Sequence, residues 1–211
     1  MPLRRRLASL LSPAKPAPHP YAPPVPALSR SLADAVADGR ATVGQGTYGF
    51  PTIARYDLDT DLSIGAFCSI GEDVVIHLGG DHHADWVTTS PLRILFGLPG
   101  AGEDGHPKRK GDVTIGHDVW IGRGAQLLSG ASVGTGAVVG AGAVVGGSVP
   151  AYAVVTGNRA AVVGYRFDEP VREAMSRIAW WDWPLEVVLS RVGDLCSPDV
   201  SAFVARYDPG A

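Results

Sequence analysis

The feature of this 211-residue chain that most restricts its fold is a repeat with a period of six residues. Neither the α-helical period of about 3.6 residues nor the period of about two of an ordinary strand produces this spacing, whereas short strands joined by tight corners do. In most rows an aliphatic residue is followed by glycine, and a small or β-branched residue stands four positions after it. The aliphatic positions are Leu58, Ile64, Ile70, Ile76, Ile115, Ile121, Leu127, Val133, Val139 and Val145. The pattern therefore predicts a parallel β-helix, in which successive coils of chain stack on one another.

The composition excludes several classes of protein. Hydrophobic residues make up 45% of the chain and charged residues 18%, which is too apolar for intrinsic disorder. The formal net charge is −3, so no basic field exists to attract phosphates, and we expect no nucleic-acid partner. The length favours a single folded core with short appendages.

An uncharged run between Arg123 and Arg159 could be mistaken for a membrane span. It contains nine glycines, and its apolar residues recur at the six-residue interval, so we expect no membrane span. The apolar stretch after the arginines at positions 4–6 is too short for a secretory signal. Cys68 and Cys196 match no metal-ligand spacing and are too few for a disulfide framework. We therefore expect a cytoplasmic protein without a metal site.

The repeat stops after Ile76 and resumes at Ile115, which predicts an excursion loop over about residues 77–112. Long loops on a rigid scaffold often carry function. This loop holds most of the histidines of the chain, namely His77, His82, His83 and His106. His117 lies instead in a corner row of the repeat, where we predict a solvent-facing and inert side chain.

The densest group of reactive side chains lies in residues 79–86, which read Gly-Gly-Asp-His-His-Ala-Asp-Trp. The chain has neither His-x₃-His nor Cys-x₂-Cys spacing for a metal, nor Gly-x-Ser-x-Gly for a serine nucleophile. The remaining chemical role for these histidines is that of a general base, because a free imidazole titrates at about pH 6.5 and is mostly neutral at about pH 7. The alternative is a polar loop whose histidines only titrate in solvent.

Together, the repeat, the excursion and its histidine-bearing turn resemble the left-handed β-helix acyltransferases. The resemblance is to the xenobiotic acetyltransferase branch, which includes the streptogramin and hexapeptide-type chloramphenicol O-acetyltransferases. It covers about residues 44–184 and rests on the segments 64–70 (IGAFCSI), 79–85 (GGDHHAD), 89–91 (TSP), 116–122 (GHDVWIG) and 180–184 (WWDWP). It implies a left-handed coil, a handedness that the period does not specify and that departs from the usual right-handed crossover. The expected fold class is all-β, with a helical segment after the coils.

The resemblance also implies a homotrimer, with acetyl-CoA in the cleft between two adjacent copies and the excursion reaching over that cleft. It implies an O-acetyltransferase in which His82 removes the proton from a hydroxyl of a small-molecule acceptor. Asp81 or Asp85 is then expected to orient the imidazole, and His83 is the alternative base. Many family members have Asn at the position of Asp81.

Two groups of substrate contacts are expected. The predicted cofactor contacts are Trp120, Gly142, Gly147 and Arg159, and the predicted acceptor contacts are Tyr48 and Trp86. Arg159 replaces the proline of a Gly-Asn-Pro-Ala motif of the family, and Gly146-Gly147 replaces a Thr-Lys pair, so Arg159 is expected to supply positive charge near the CoA phosphates. Lys108, Arg109 and Lys110 are alternatives for that charge. For Trp120, the alternative role is a structural cap on the coil.

The ends of the chain are expected to differ from its middle. The predicted division is a mobile proline-rich tail and short helix (1–40), a β-helix domain (41–163) and a C-terminal helical segment (164–211). The short helix is predicted over Ser31–Asp38, and the first C-terminal helix is expected to be capped by Asp168. Trp180, Trp181 and Trp183 are expected to anchor the helical segment against the coils or a neighbouring subunit.

Two other functions stay open at this point. The acceptor could be the amine of an amino sugar, or the chain could be a non-catalytic hexapeptide-repeat subunit of a larger assembly. The sequence does not specify the acceptor, which could be an antibiotic or a sugar of the cell surface.

Overall fold

The computed structural model describes residues 30–57 and 59–210, and its strands are short and pair at regular intervals along the chain. The strands are β1 (Ala41–Val43), β2 (Tyr48–Gly49), β3 (Thr52–Arg55), β4 (Leu62–Ile64), β5 (Ser69–Ile70), β6 (Val75–Leu78), β7 (Val113–Ile115), β8 (Trp120–Ile121), β9 (Gln126–Leu127), β10 (Ser132–Val133), β11 (Val138–Val139), β12 (Val144–Val145), β13 (Ser148–Val149), β14 (Ala153–Thr156) and β15 (Ala161–Tyr165). Sheet 1 contains β1, β4, β7, β10 and β13, sheet 2 contains β2, β5, β8, β11, β14 and β15, and sheet 3 contains β3, β6, β9 and β12. Neighbouring strands are parallel except for β14 and β15. Each coil of chain therefore contributes one strand to each of three separate sheets.

The interior between the sheets is filled by the residues of the six-residue repeat. Leu58 lies outside the described residues, and the other aliphatic positions, from Ile64 to Val145, are all buried. The small and β-branched residues four positions later, from Cys68 to Val149, are buried as well. The predicted stack of parallel coils is thus confirmed, and the burial of these side chains supplies its hydrophobic stabilisation.

The all-β class expected from the sequence is too narrow, because the structure is mixed α/β. Its α-helices are α1 (Arg30–Ala37), α2 (Leu92–Phe96), α3 (Glu169–Ile178), α4 (Leu185–Ser190), α5 (Val192–Leu195) and α6 (Val200–Tyr207). Helix α1 begins one residue before the predicted helix, and the proline-rich tail lies outside the described residues. As predicted, the Asp168 carboxylate caps α3 by accepting a hydrogen bond from the Val171 N–H. Within the described ranges, none of these helices combines the length and the apolar character that crossing a bilayer requires.

The excursion begins at Gly79, two residues later than expected. The reason is that His77 and Leu78 extend β6, where they pair with β3. The excursion, defined here as residues 79–112, leaves the coils at the corner between sheets 3 and 1 and returns at β7. The Lys108 N–H donates to the Asp81 carbonyl at 2.8 Å, so the two ends of the excursion are tied together.

The rings of two of the three tryptophans expected to be anchors contact the coils. The Trp180 ring lies 4.9 Å from the Phe67 ring, and the Trp181 ring stacks on His117 at 5.5 Å. The Trp183 ring instead contacts aromatic rings of α6, and the Trp183 carbonyl accepts a hydrogen bond from the Gln45 side chain of the coils at 3.2 Å. The helical segment therefore packs on the corner between sheets 1 and 2, away from the excursion.

Candidate active site

The turn that carries His82 is shaped by two glycines in the left-handed region. Gly79 has φ of 73° and Gly80 has φ of 83°. A Cβ atom at Gly79 would collide with the Asp57 carboxylate, and one at Gly80 would lie 2.6 Å from the Tyr56 ring. Asp57 is itself fixed, because its carboxylate accepts from the backbone N–H and the hydroxyl of Thr60. Only glycine allows the backbone to approach Tyr56 and Asp57 this closely, so the position of the turn on the coils is fixed.

One consequence is a test by substitution at Gly79. Gly79→Ala is expected to lower kcat by about tenfold or more, because a displacement of the turn would also displace His82, the base predicted from the sequence. Gly97→Ala is the matched control, since Gly97 is also in the excursion with φ of 60°, but a Cβ atom there would meet open space. Steady-state kinetics of both variants measure the effect. Equal activities would show that the collision with Asp57 is unimportant.

His82 is held by a backbone carbonyl. Its Nδ1 lies 2.5 Å from the Thr89 oxygen, and its side chain is exposed. Since a carbonyl oxygen can only accept, Nδ1 must carry the hydrogen, and Nε2 of the neutral ring keeps its lone pair. The neutral imidazole can therefore accept a proton at Nε2. Thr89 lies in one of the segments that carry the family resemblance, but the sequence does not reveal that its carbonyl contacts His82.

The two predicted orienters have other partners. The Lys110 Nζ lies 2.5 Å from Asp81 Oδ1, and Asp85 Oδ1 lies 3.6 Å from the Nδ1 of His83. The pKa of the Asp85 carboxyl is lowered, first by a hydrogen bond with its own backbone and then by the charge of Lys108. The Thr89 carbonyl therefore contacts His82 in place of the two carboxylates. The carboxylates instead contact other side chains of the excursion.

An aromatic cluster forms the interior of the excursion. The His83 ring stacks on Trp86 at 4.1 Å, and the edge of His106 approaches these two rings at 5.0 and 4.7 Å. His83 Nε2 lies 2.9 Å from the Gly105 oxygen, so that nitrogen donates and has no lone pair to offer. His106 is almost completely buried, and the centroid of its ring lies 6.0 Å from that of the His82 ring. The cluster therefore supports the segment that carries His82.

Two predicted cofactor contacts lie on the same edge of the coils as the excursion. Gly147 occupies the corner between sheets 3 and 1, two coils beyond the excursion, and it lines a cavity of about 150 Å³ with Arg159. Arg159 forms no ion pair with any of the described residues. The alternative cations are all paired, in the pairs Lys108–Asp85, Arg109–Asp59 and Lys110–Asp81. Arg159 is therefore the more available charge for an anionic ligand.

Among the remaining predicted contacts, only Trp86 lies on the excursion, and the other three lie on other sides of the coils. Tyr48 and Trp120 project from sheet 2, where both pair in register with Ser69, and they are 44% and 59% exposed. Gly142 lies at the corner between sheets 2 and 3, with φ of 68°. Trp86 is 40% exposed on the excursion, close to His82 in sequence. One chain thus brings together the excursion, Gly147 and Arg159 on one edge, and it places Tyr48 and Trp120 elsewhere.

His117 and Cys68 have structural environments. His117 was predicted to face solvent, but its Nδ1 accepts from the Ala66 N–H at 3.0 Å and its ring stacks on Trp181. The prediction failed because the C-terminal helical segment covers this corner. Burial raises the pKa of the Cys68 thiol to about 11, so the thiol stays protonated at neutral pH. Within the described part of the chain, no three His, Cys, Asp or Glu side chains are grouped to hold a metal ion.

Comparison with known proteins places the chain among bacterial acetyltransferases. Residues 112–147 match the family model "Bacterial transferase hexapeptide (six repeats)". A chloramphenicol acetyltransferase of Escherichia coli is 34% identical over 180 residues, which cover 80% of this chain and 86% of that protein. A second, from Agrobacterium fabrum, is 35% identical over 74% of this chain and 78% of its own.

Other matches are a third relative, which covers less of this chain, and a solved structure. A probable macrolide acetyltransferase of Lysinibacillus sphaericus is 36% identical over 64% of this chain and 77% of its own. The crystal structure of a maltose O-acetyltransferase from Clostridium difficile 630 covers 61% of this chain and 60% of its own, with 24% identity and a TM-score of 0.41. The identity and coverage of the chloramphenicol acetyltransferases confirm the resemblance seen in the motifs, and this chain belongs to their family of hexapeptide-repeat acetyltransferases.

Proposed function

We propose that this protein transfers the acetyl group of acetyl-CoA to a hydroxyl of a small molecule, with His82 as the general base. The observation that carries the proposal is the contact between His82 Nδ1 and the Thr89 carbonyl, which leaves Nε2 as the proton acceptor. The names of the relatives, chloramphenicol and macrolide acetyltransferases, support a hydroxylated antibiotic as the class of acceptor.

The reaction is a direct transfer in a ternary complex. His82 Nε2 takes the proton of the acceptor hydroxyl while the hydroxyl oxygen forms a bond to the thioester carbonyl carbon. The tetrahedral intermediate then breaks its carbon–sulfur bond, and the leaving thiolate of CoA takes the proton from Nε2. The Thr89 carbonyl stabilises the transient imidazolium by accepting a hydrogen bond from Nδ1, because a hydrogen bond from a charged donor is stronger than one from a neutral donor. The oxyanion that forms on the thioester carbonyl requires N–H donors that are not already bonded within the coils.

Arg159 has a role on the cofactor side in this proposal. Arg159→Ala is expected to raise the KM for acetyl-CoA by several-fold with little change in kcat, because the lost contact to the phosphates is present throughout the reaction. Arg177→Ala is a suitable control, since Arg177 pairs with Asp208 on the helical segment. An unchanged KM for acetyl-CoA in Arg159→Ala would remove Arg159 from the cofactor site.

The complete site requires more than one copy of the chain. Tyr48 and Trp120 project from sheet 2, away from the edge that carries His82, and a neighbouring copy could bring its own sheet 2 to that edge. The family membership supports a homotrimer of left-handed coils built in this way, with acetyl-CoA in the cleft between copies. Light scattering should give about three times the chain mass of 22.0 kDa, and a monomer at micromolar concentration would contradict the trimer.

The division of the chain follows the two hydrophobic clusters in part. The coils enclose one cluster, which also includes Leu32 and Ala35 of α1, and a second cluster joins Tyr152 to Met175, Ile178 and Phe203 of the helical segment. The second cluster supports a C-terminal segment at 164–211, whereas the boundary between an N-terminal part at 1–40 and a β-helix domain at 41–163 stays a prediction from the sequence. The cytoplasmic location stays a prediction from the cysteine content.

The activity is tested by measuring free thiol release from acetyl-CoA. The acceptors are chloramphenicol, a macrolide and an amino sugar, and mass spectrometry locates the acetyl group on the product. We expect acetylation at a hydroxyl of one of the two antibiotics. Transfer only to the amine of the sugar would contradict the proposal, as would thiol release that does not depend on any acceptor.

A further inference from the structure

A cavity of about 590 Å³ lies between the coils and the C-terminal helical segment. Its wall on the coil side includes Phe67, at the corner between sheets 1 and 2, and its opposite wall includes Met175, Val188 and Phe203. This is a different corner from the one that carries the excursion, and none of its lining residues belongs to the excursion. None of its lining residues is assigned to acetyl transfer, although Phe67, Asp118 and Arg166 also lie beside Trp120.

The cavity is a preformed recess in one chain. Met175, Val188 and Phe203 are only 6–7% exposed although they face it. Its two walls are fixed to each other by the contact of Trp180 with Phe67. Because both walls come from the same chain, the recess needs no second copy to exist. Its volume lies within the range of about 300–1,000 Å³ that is usual for small-molecule sites.

The charged groups in the lining are already engaged. Arg166 donates to the Asp118 carboxylate and to the Gly136 carbonyl, both at 2.9 Å. Asp194 accepts from Arg206 and from the Tyr207 hydroxyl. The recess thus offers no unpaired charge to an ionic ligand. Asp118 can still accept one more hydrogen bond, since a carboxylate has about four lone-pair positions.

We propose that this recess binds a small, uncharged and mainly apolar molecule whose N–H or O–H group donates to Asp118. The apolar lining supplies the affinity, and the half-buried carboxylate fixes the orientation of the ligand. Burial raises the pKa of the Asp118 carboxyl, in keeping with a site that favours neutral groups.

The test uses N-phenyl-1-naphthylamine, an uncharged apolar probe with one N–H group. Its fluorescence should rise and shift to the blue when it binds the wild-type protein. Val192→Trp places a large ring at the recess, and because Val192 is 53% exposed the change is compatible with folding. It should weaken probe binding at least tenfold, whereas Ala205→Trp, at an exposed position of α6 outside the lining, should leave it unchanged. His82→Ala should also bind the probe normally.

A second readout needs no substitution. Cys196 lines the recess and is exposed, whereas Cys68 is buried and its thiol has a raised pKa, so a maleimide should label Cys196 selectively. Saturating probe should slow this labelling, as followed by mass spectrometry. The proposal is overturned if the probe does not bind, if Val192→Trp binds it as well as the wild type, or if Cys196 is not protected. Probe binding that requires the excursion or a contact between copies would likewise overturn it.

Discussion

Replacing His82 by alanine is expected to lower kcat by about 10² to 10⁴, which is the usual contribution of a positioned general base. The affinity for acetyl-CoA should change little, because the proposed cofactor contacts lie elsewhere on the coils. The change is measured by steady-state thiol release with a competent hydroxyl acceptor. The loss should appear in both kcat and kcat/KM, as for an interaction made only in the transition state.

His83→Ala is the matched control for this substitution. His83 is the adjacent imidazole, but its Nε2 is bonded to the Gly105 carbonyl and its ring packs on Trp86. Its removal should loosen the excursion and lower activity far less than removal of His82. If His82→Ala keeps more than about a third of the wild-type turnover, the loss falls far short of that expected for a base, and the assignment of this loop is wrong.

The second large effect is expected in the interior of the coils. Leu127 is fully buried in β9, between Ile76 of β6 and Val145 of β12. Leu127→Ala should lower the free energy of unfolding by about 2–5 kcal/mol, because it leaves a cavity that neighbouring coils cannot fill. Gln126→Ala is the control, since Gln126 is the adjacent residue and its side chain is exposed. It should change stability by about 0.5 kcal/mol or less.

Urea denaturation at one fixed protein concentration measures both variants, because association of copies makes apparent stability depend on concentration. Similar unfolding free energies for Leu127→Ala and Gln126→Ala would contradict the account of the core. Such a result would mean that the six-residue repeat does not provide the main hydrophobic stabilisation.

The coils could be predicted from the sequence because their structure is local and repeated. Each inward position recurs at the same interval, so the aliphatic residue of every row from Ile64 onward has the same buried environment. The excursion could be located for the same reason, since the loss of the period marks where the chain leaves the coils. Its start was misplaced by two residues because His77 and Leu78 extend the pairing of β6 beyond the repeat.

The contacts within the site could not be predicted, because some join residues far apart in sequence and others use backbone atoms. Asp81 is adjacent to His82, which made it a natural orienter, yet its carboxylate pairs with Lys110 at the other end of the loop. The contact from Thr89 comes from a backbone carbonyl, which side-chain patterns do not reveal. His117 was expected in solvent because the packing of Trp181 on it depends on the docking of the helical segment.

The central claim is that His82 takes the proton from the acceptor hydroxyl, and the pH dependence of kcat/KM tests it most directly. Only the unprotonated imidazole can accept a proton, so kcat/KM of the wild-type protein should rise with pH as the imidazole loses its proton. In His82→Ala, measured with the same acceptor, this rising limb should disappear and the residual rate should be nearly independent of pH in that range. If the variant keeps the same rising limb as the wild type, another group is the base and the central claim is contradicted.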